Sequence, residues 1–134
     1  MAFDREIVAL TIFCEASNSS PVERRAIAHV IKNRLNDGRF GSTLAEICLR
    51  RYQFSEWNDD KLNNNNLLRG AKAANNNLVI KDCLASYDEV LSDSVDITKG
   101  ATHYHDKSIS PPFWAKDAIM TLNTKDFFFY KDVK

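Results

Sequence analysis

The sequence predicts a mainly α-helical (α+β) fold in one domain spanning residues 1–134, with a small β region near the C-terminus. Three observations predict it. Helical hydrophobic periods recur over 4–16, 20–36 and 78–91. Two capping-box signatures mark helix starts. Two short runs near the C-terminus flank a three-residue turn. A chain of 134 residues suits a single modest core.

In the first helix, Ile7, Val8, Leu10, Thr11, Ile12 and Cys14 fall on a helical period, with Asp4 expected as N-cap and Glu6 in the first turn. Ser17-Asn18-Ser19-Ser20 ends it. Glu15 follows Ile12 and Thr11 by three and four residues, which sets it beside the core-facing stripe. A carboxyl there is either half buried or aimed into a cleft. Desolvation would hold it protonated near neutral pH, as a general acid requires. The same pattern also accommodates a Glu on a solvated helix end, and the local pattern does not choose between the two.

The second helix is the best marked. Ser20-Pro21-Val22-Glu23 is a capping box with Pro at the first helical position. Ala26, Ile27, Val30, Ile31 and Leu35 form its buried stripe, with His29 and Asn33 on a flank, and Gly38 stops it. Thr43-Leu44-Ala45-Glu46 reads as a second capping box, opening a short helix through Leu49.

Tyr52 to Asp60 mixes aromatic faces with amides, a hydroxyl and acids, and has no regular period. Such a loop suits a ligand that is polar at its edges and apolar on its faces, as sugars are. It serves equally well as a surface loop with its rings tucked into the core. The Asn-rich stretch 61–77 reads as a long loop with one helical turn near 67–74. A helical pattern resumes over Leu78 to Leu91 through Val79, Cys83, Leu84, Tyr87 and Leu91.

The C-terminal third changes character. Residues 96–105 hold a turn followed by a short alternating run. Ser110-Pro111-Pro112-Phe113-Trp114 cannot be regular helix or central strand. Ala118 to Leu122 and Asp126 to Tyr130 flank Asn123-Thr124-Lys125 as a hairpin with a three-residue loop.

Composition removes several function classes. Lys plus Arg and Asp plus Glu are both 18, so there is no basic excess of the kind nucleic-acid binders carry, and no electrostatic capture by an anionic membrane is expected. The apolar runs are too short to span a bilayer. Met1 to Glu6 shows no basic segment leading into an apolar one, so synthesis in the cytoplasm without a secretory signal is expected. Cys14, Cys48 and Cys83 are odd in number and widely spaced, which argues against a disulfide framework or a cysteine zinc knuckle. Each lies in a predicted helix among apolar neighbours, where a free Cys acts as a small hydrophobe. His103-x-His105 on a strand would project both imidazoles to one face, and a metal there would need a third ligand from Glu15, Asp106 or His29. No H-E-x-x-H spacing is present, and hydrogen bonding to substrate or backbone is the expected use; no metal and no cofactor are expected.

Six segments together resemble the SleB-type cell wall hydrolases, a family that includes spore-cortex-lytic enzymes and phage lysins. They are Ile12-Phe13-Cys14-Glu15-Ala16, Val30 to Leu35, Tyr52-Gln53-Phe54-Ser55 with Trp57-Asn58, Gly100 to His105, Pro111 to Lys116, and Phe129-Tyr130-Lys131. They stand in the family's order over nearly the whole chain. Only the Asn-rich stretch departs in spacing. The resemblance implies a lysozyme-like fold and cleavage of the glycan strands of peptidoglycan, with Glu15 as the catalytic acid. It also implies substrate contacts by Gln53, Phe54, Ser55, Thr102, His103, Tyr104 and Trp114. Cys14 stands where the family has Gly. Ser19 stands where many members carry a second acid, so a substitute carboxylate would come from Glu23, Glu56, Asp59 or Asp106.

That gap bears on the chemistry. Retaining and inverting hydrolases ordinarily use two carboxyl groups, whereas a lytic transglycosylase can work with one, so the expected activity is transglycosylation at the MurNAc–GlcNAc bond, with hydrolytic muramidase chemistry as the alternative. A metal-dependent amidase using the histidine pair and a noncatalytic glycan-binding module are the remaining classes. The expected setting is a monomeric phage endolysin, with peptidoglycan as its partner and no nucleic acid or stable membrane binding. It would be made in the host cytoplasm and act in the periplasm or cell wall after release.

Overall fold

The structure, a computed structural model, describes residues 4–50, 78–92 and 95–134. Its element order is helix α1 (Asp4–Ala16), α2 (Pro21–Asp37), α3 (Leu44–Leu49) and α4 (Leu78–Leu91), then strand β1 (His103–Asp106), a 3-10 turn (Phe113–Ala115), β2 (Ile119–Asn123) and β3 (Phe127–Lys131). The mainly helical class with a small C-terminal sheet is thus observed. The expected loop over 52–60 and the Asn-rich stretch with its turn near 67–74 lie outside the described residues.

The helices pack because each presents an apolar stripe. Val8, Ala9 and Ile12 of α1 meet Ala26, Ile27, Val30 and Ile31 of α2, Ile47 and Cys48 of α3, and Ile80, Cys83 and Val90 of α4 in one core. Phe127 and Phe129 of β3 close it from the sheet side. Full burial of such side chains contributes about 1.5–3 kcal/mol each, so this shared stripe, more than helix propensity, holds the helices in place.

Caps set the boundaries of α2. Ser20 Oγ accepts from the Glu23 amide while Glu23 reaches back to the Ser20 amide, completing the expected box. Gly38, at φ +88°, takes the left-handed cap position and donates to the Arg34 carbonyl. The second box is only half formed. Thr43 accepts from the Glu46 amide, but the Glu46 carboxylate turns to Ser42 instead. Asp4, expected as an N-cap, opens α1 as described and accepts from the Ala45 amide at the start of α3.

Three stripes differ from expectation. Cys14 is exposed, because α1 turns Thr11, Ile12 and Ala16 inward at its C-terminal end. The buried face of α4 runs through Ile80, Cys83, Ser86 and Val90, which leaves Leu91 exposed and Val79, Leu84 and Tyr87 at its margin. On α2, Leu35 is only partly buried, and Arg34 takes the inward position.

The sheet is antiparallel in the order β1-β3-β2, with Tyr104 opposite Phe129 and His105 opposite Phe128. The hairpin forms one residue later than expected, with Thr124 to Asp126 as its loop and an irregularity between Met120 and Leu122. Side chains alternate across a strand. Tyr104 therefore shares the helix-facing side with Phe127 and Phe129, and its ring lies 5.5 and 5.6 Å from theirs. His103 and His105 take the other side, with Trp114 at 5.0 and 6.0 Å.

Candidate active site

The site is built where the end of α1 meets β1. Glu15 is half buried on the last turn of α1, and the Tyr104 hydroxyl donates to its Oε1. That contact joins residues 89 apart in sequence. A phenol held against a carboxyl oxygen restricts how the carboxyl rotates, which orients whatever proton it carries.

Beneath this pair lies Arg34, 5% exposed, whose charge reaches both Glu15 and Tyr104. Burial pushes its guanidinium below its usual value, and negative charge on Tyr104, Cys48 or Glu15 opposes that shift. Its Nε donates to the Thr102 carbonyl at 2.6 Å, and its guanidinium stands 5.0 Å over the Phe40 ring. Thr102 in turn donates its amide to the Tyr130 carbonyl. Arg34 thus ties α2 to the residue that leads into β1.

Asn33 makes the neighbouring tie. Its Nδ2 donates to Asp96 at 2.9 Å and to the Ala101 carbonyl at 2.9 Å. Asp96 also receives the Thr98 amide and hydroxyl and the Gly100 amide. Burial pushes the Asp96 carboxyl up, but bonds from Thr98, Asn33 and Gly100 outweigh it and hold the group below the usual carboxylate range. His29, 3% exposed, sits 3.7 Å from this carboxylate. Burial lowers its pKa against the pull of Asp96. The result is a rigid turn that delivers Tyr104 to Glu15.

A family model described as cell wall hydrolase matches residues 18–130. The chain belongs to the cell wall hydrolase family. No curated protein matches it. Among solved structures, it is similar to the catalytic domain of the Bacillus cereus SleB protein, with a TM-score of 0.69 and 18% identity. The likeness covers 98% of this chain and 91% of that one, and it shows a shared fold. Family membership supports a peptidoglycan-cleaving enzyme. Glu15 stands three residues before the matched span begins, so its place in the site rests on the contact with Tyr104.

The other expected contacts of this cell wall hydrolase divide. Gln53, Phe54 and Ser55 lie outside the described residues, as do Glu56 and Asp59. Thr102 is buried, with its hydroxyl 2.9 Å from His103 Nδ1. His103 packs between Phe40 and Trp114. Burial, joined by the charges of Arg34 and Arg39, pushes His103 down to about 4, so it is neutral over the ordinary working range. Trp114 is half buried against His103, His105 and Tyr130. Tyr104 alone of these four meets Glu15 directly.

The histidine pair is not arranged as a metal site with Glu15. Alternation sends both imidazoles to the face opposite Tyr104. His105 Nδ1 lies 2.9 Å from the Asp106 carbonyl, which can only accept, so that nitrogen carries the hydrogen and Nε2 meets the Tyr130 hydroxyl at 2.9 Å. Among the described residues no cluster of three or more His, Cys, Asp or Glu is disposed to hold a metal.

Of the four acids expected as substitutes for the missing carboxylate, Glu23 and Asp106 are among the described residues. Glu23 is 1% exposed and accepts from the Ser20 amide and hydroxyl, the Thr124 hydroxyl and the Asp126 amide. Its burial raises its pKa, but those four bonds prevail and hold it below the usual range. Asp106 caps the turn at Ser108. Ser19, in the position of the family's second acid, donates to Asp126 at 2.9 Å. Sequence reasoning passed over Asp126, and also Arg24 and Arg34. The signal for the arginines was available, since Arg24, Ile27, Ile31 and Arg34 recur at helical spacing on one stripe.

Proposed function

We propose that this chain cleaves the β-1,4 bond between MurNAc and GlcNAc as a lytic transglycosylase, with Glu15 as its single acid/base. The contact between Glu15 and Tyr104 carries this reading. It supplies an oriented carboxyl on a half-buried helix end, beside a buried cation.

The chemistry needs one carboxyl used twice. Glu15 gives its proton to the glycosidic oxygen as the C1–O4 bond breaks. The resulting carboxylate takes the proton of the MurNAc C6 hydroxyl as O6 bonds to C1, which closes a 1,6-anhydro ring and restores the acid. The attacking oxygen is tethered to its target, so no water need be activated. The engagement of Glu23 by four donors counts against that carboxylate as the second acid of a hydrolytic route.

Mass spectrometry of products from purified peptidoglycan tests the reading. Anhydro-MurNAc ends, lighter by one water than hydrolytic ends, are expected. Reducing MurNAc ends would replace it with a muramidase mechanism, and free stem peptides with an amidase.

We place this activity in a monomeric phage endolysin, made in the host cytoplasm and reaching the wall after release. Cytoplasmic expression in a bacterial host tests that role. Lysis is expected only when a pore-forming membrane protein is expressed with it, and lysis without one would count against it.

A further inference from the structure

The carbonyls at the turn that joins α1 to α2 are held by a side chain from α2. Arg24, 7% exposed, donates from Nε to the Ala16 carbonyl at 3.1 Å and from Nη2 to the Ser17 and Ser19 carbonyls at 3.1 and 2.8 Å. Its Nη1 donates to Asp82 of α4 at 2.9 Å. The last carbonyls of a helix have no partners within it, and a cation near them is favourable. The last turn of α1 contains no basic residue, so α2 supplies the cation that this helix end lacks.

We infer that Arg24, anchored by Asp82, is a positioning residue for Glu15. The inference rests on the reading of Glu15 as the acid. Ala16 is the next residue along the chain, itself 1% exposed in the core, so the Glu15 backbone cannot shift without moving a carbonyl that Arg24 holds. Tyr104 meets the carboxyl from β1, while Arg24 fixes the other end of the same side chain through its backbone. The planar guanidinium spans three carbonyls and a carboxylate at once, which a single ammonium cannot do.

The test compares R24K, D82N and E15Q on soluble peptidoglycan fragments, well below each variant's melting temperature. R24K keeps the charge and can still pair with Asp82, but it loses the fork. Its kcat is expected to fall about tenfold or more with KM changed less than about twofold, since a misplaced catalytic group slows chemistry without weakening binding. D82N leaves the carbonyl bonds possible and removes their anchor, and a smaller fall in kcat at constant KM is expected. A merely structural role would lower the melting temperature of both and leave kcat per folded molecule unchanged, which would overturn the proposal. If R24K does not fold, D82N carries the same decision. Inactive E15Q beside fully active, folded R24K and D82N overturns this inference alone. Active E15Q overturns the assignment of Glu15, and this inference with it.

Discussion

Tyr104, the second residue of strand β1, donates its hydroxyl to Glu15, on the last turn of α1, and so couples the sheet to the helix that bears the acid. Neither residue can be placed without the other. Glu15→Gln is expected to remove about 10²–10⁴-fold of activity, the usual share of a general acid, while the melting temperature stays close to that of the parent. Turnover assays with matched thermal melts check this, and a folded, fully active variant would refute the assignment.

Tyr104→Phe keeps the ring against Phe127 and Phe129 and removes only the donor. A lost hydrogen bond to a group that becomes charged is worth about 1.5–3 kcal/mol. A kcat lower by about tenfold or more, with KM little changed, is expected from steady-state kinetics.

Glu23 joins the start of α2 to the β2–β3 turn through four donors. Glu23→Gln turns an amide NH₂ toward donors and should cost about 1–3 kcal/mol in denaturant unfolding. The folded carboxyl titrates below its unfolded value, so its contribution is present above the unfolded pKa and is lost as pH falls through the folded one. Stability of the variant is expected to depend less on pH in that acid window.

His103 behaves in the same direction for a different reason. Its folded pKa of about 4 lies below the ordinary value of 6.5, so the unfolded chain binds the extra proton first. Its contribution to stability is complete above about 6.5 and falls as pH drops toward about 4. NMR titration of the imidazole should find the low midpoint, and His103→Asn should flatten the stability profile over that interval.

A chelator is expected to leave glycan cleavage unchanged, because both imidazoles lie across the sheet from Glu15 and His105 is bonded at both nitrogens. Loss of activity with chelator, restored by added zinc, would reinstate the histidine pair as ligands.

Much of the fold was legible locally. The Ser20 capping box and the Gly38 stop are short-range signals that formed as expected, and the apolar period of α2 held through Ala26, Ile27, Val30 and Ile31. The misread stripes share a cause. Cys14, Leu35 and Leu91 all sit near helix ends, where a small change in the assumed period rotates a residue out of the core. Glu15 and Tyr104 were both singled out from motif position, but their contact was not legible, since no local rule pairs residues 89 apart. The polar ties escaped for a related reason. Arg24 and Arg34 look like solvated charges until the carbonyls and carboxylate they serve are brought to them by tertiary packing.

The two-sidedness of β1 has a bearing on how this chain tolerates change. Substitutions in the turn over 95–102 trade one contact for another, but adding or deleting a single residue there would shift the strand by one step and exchange its faces. An imidazole would then confront the acid, and the phenol would go to Trp114. Length in this segment should therefore be far more constrained than identity, and a library of insertions ought to map the active site as sharply as a library of substitutions does.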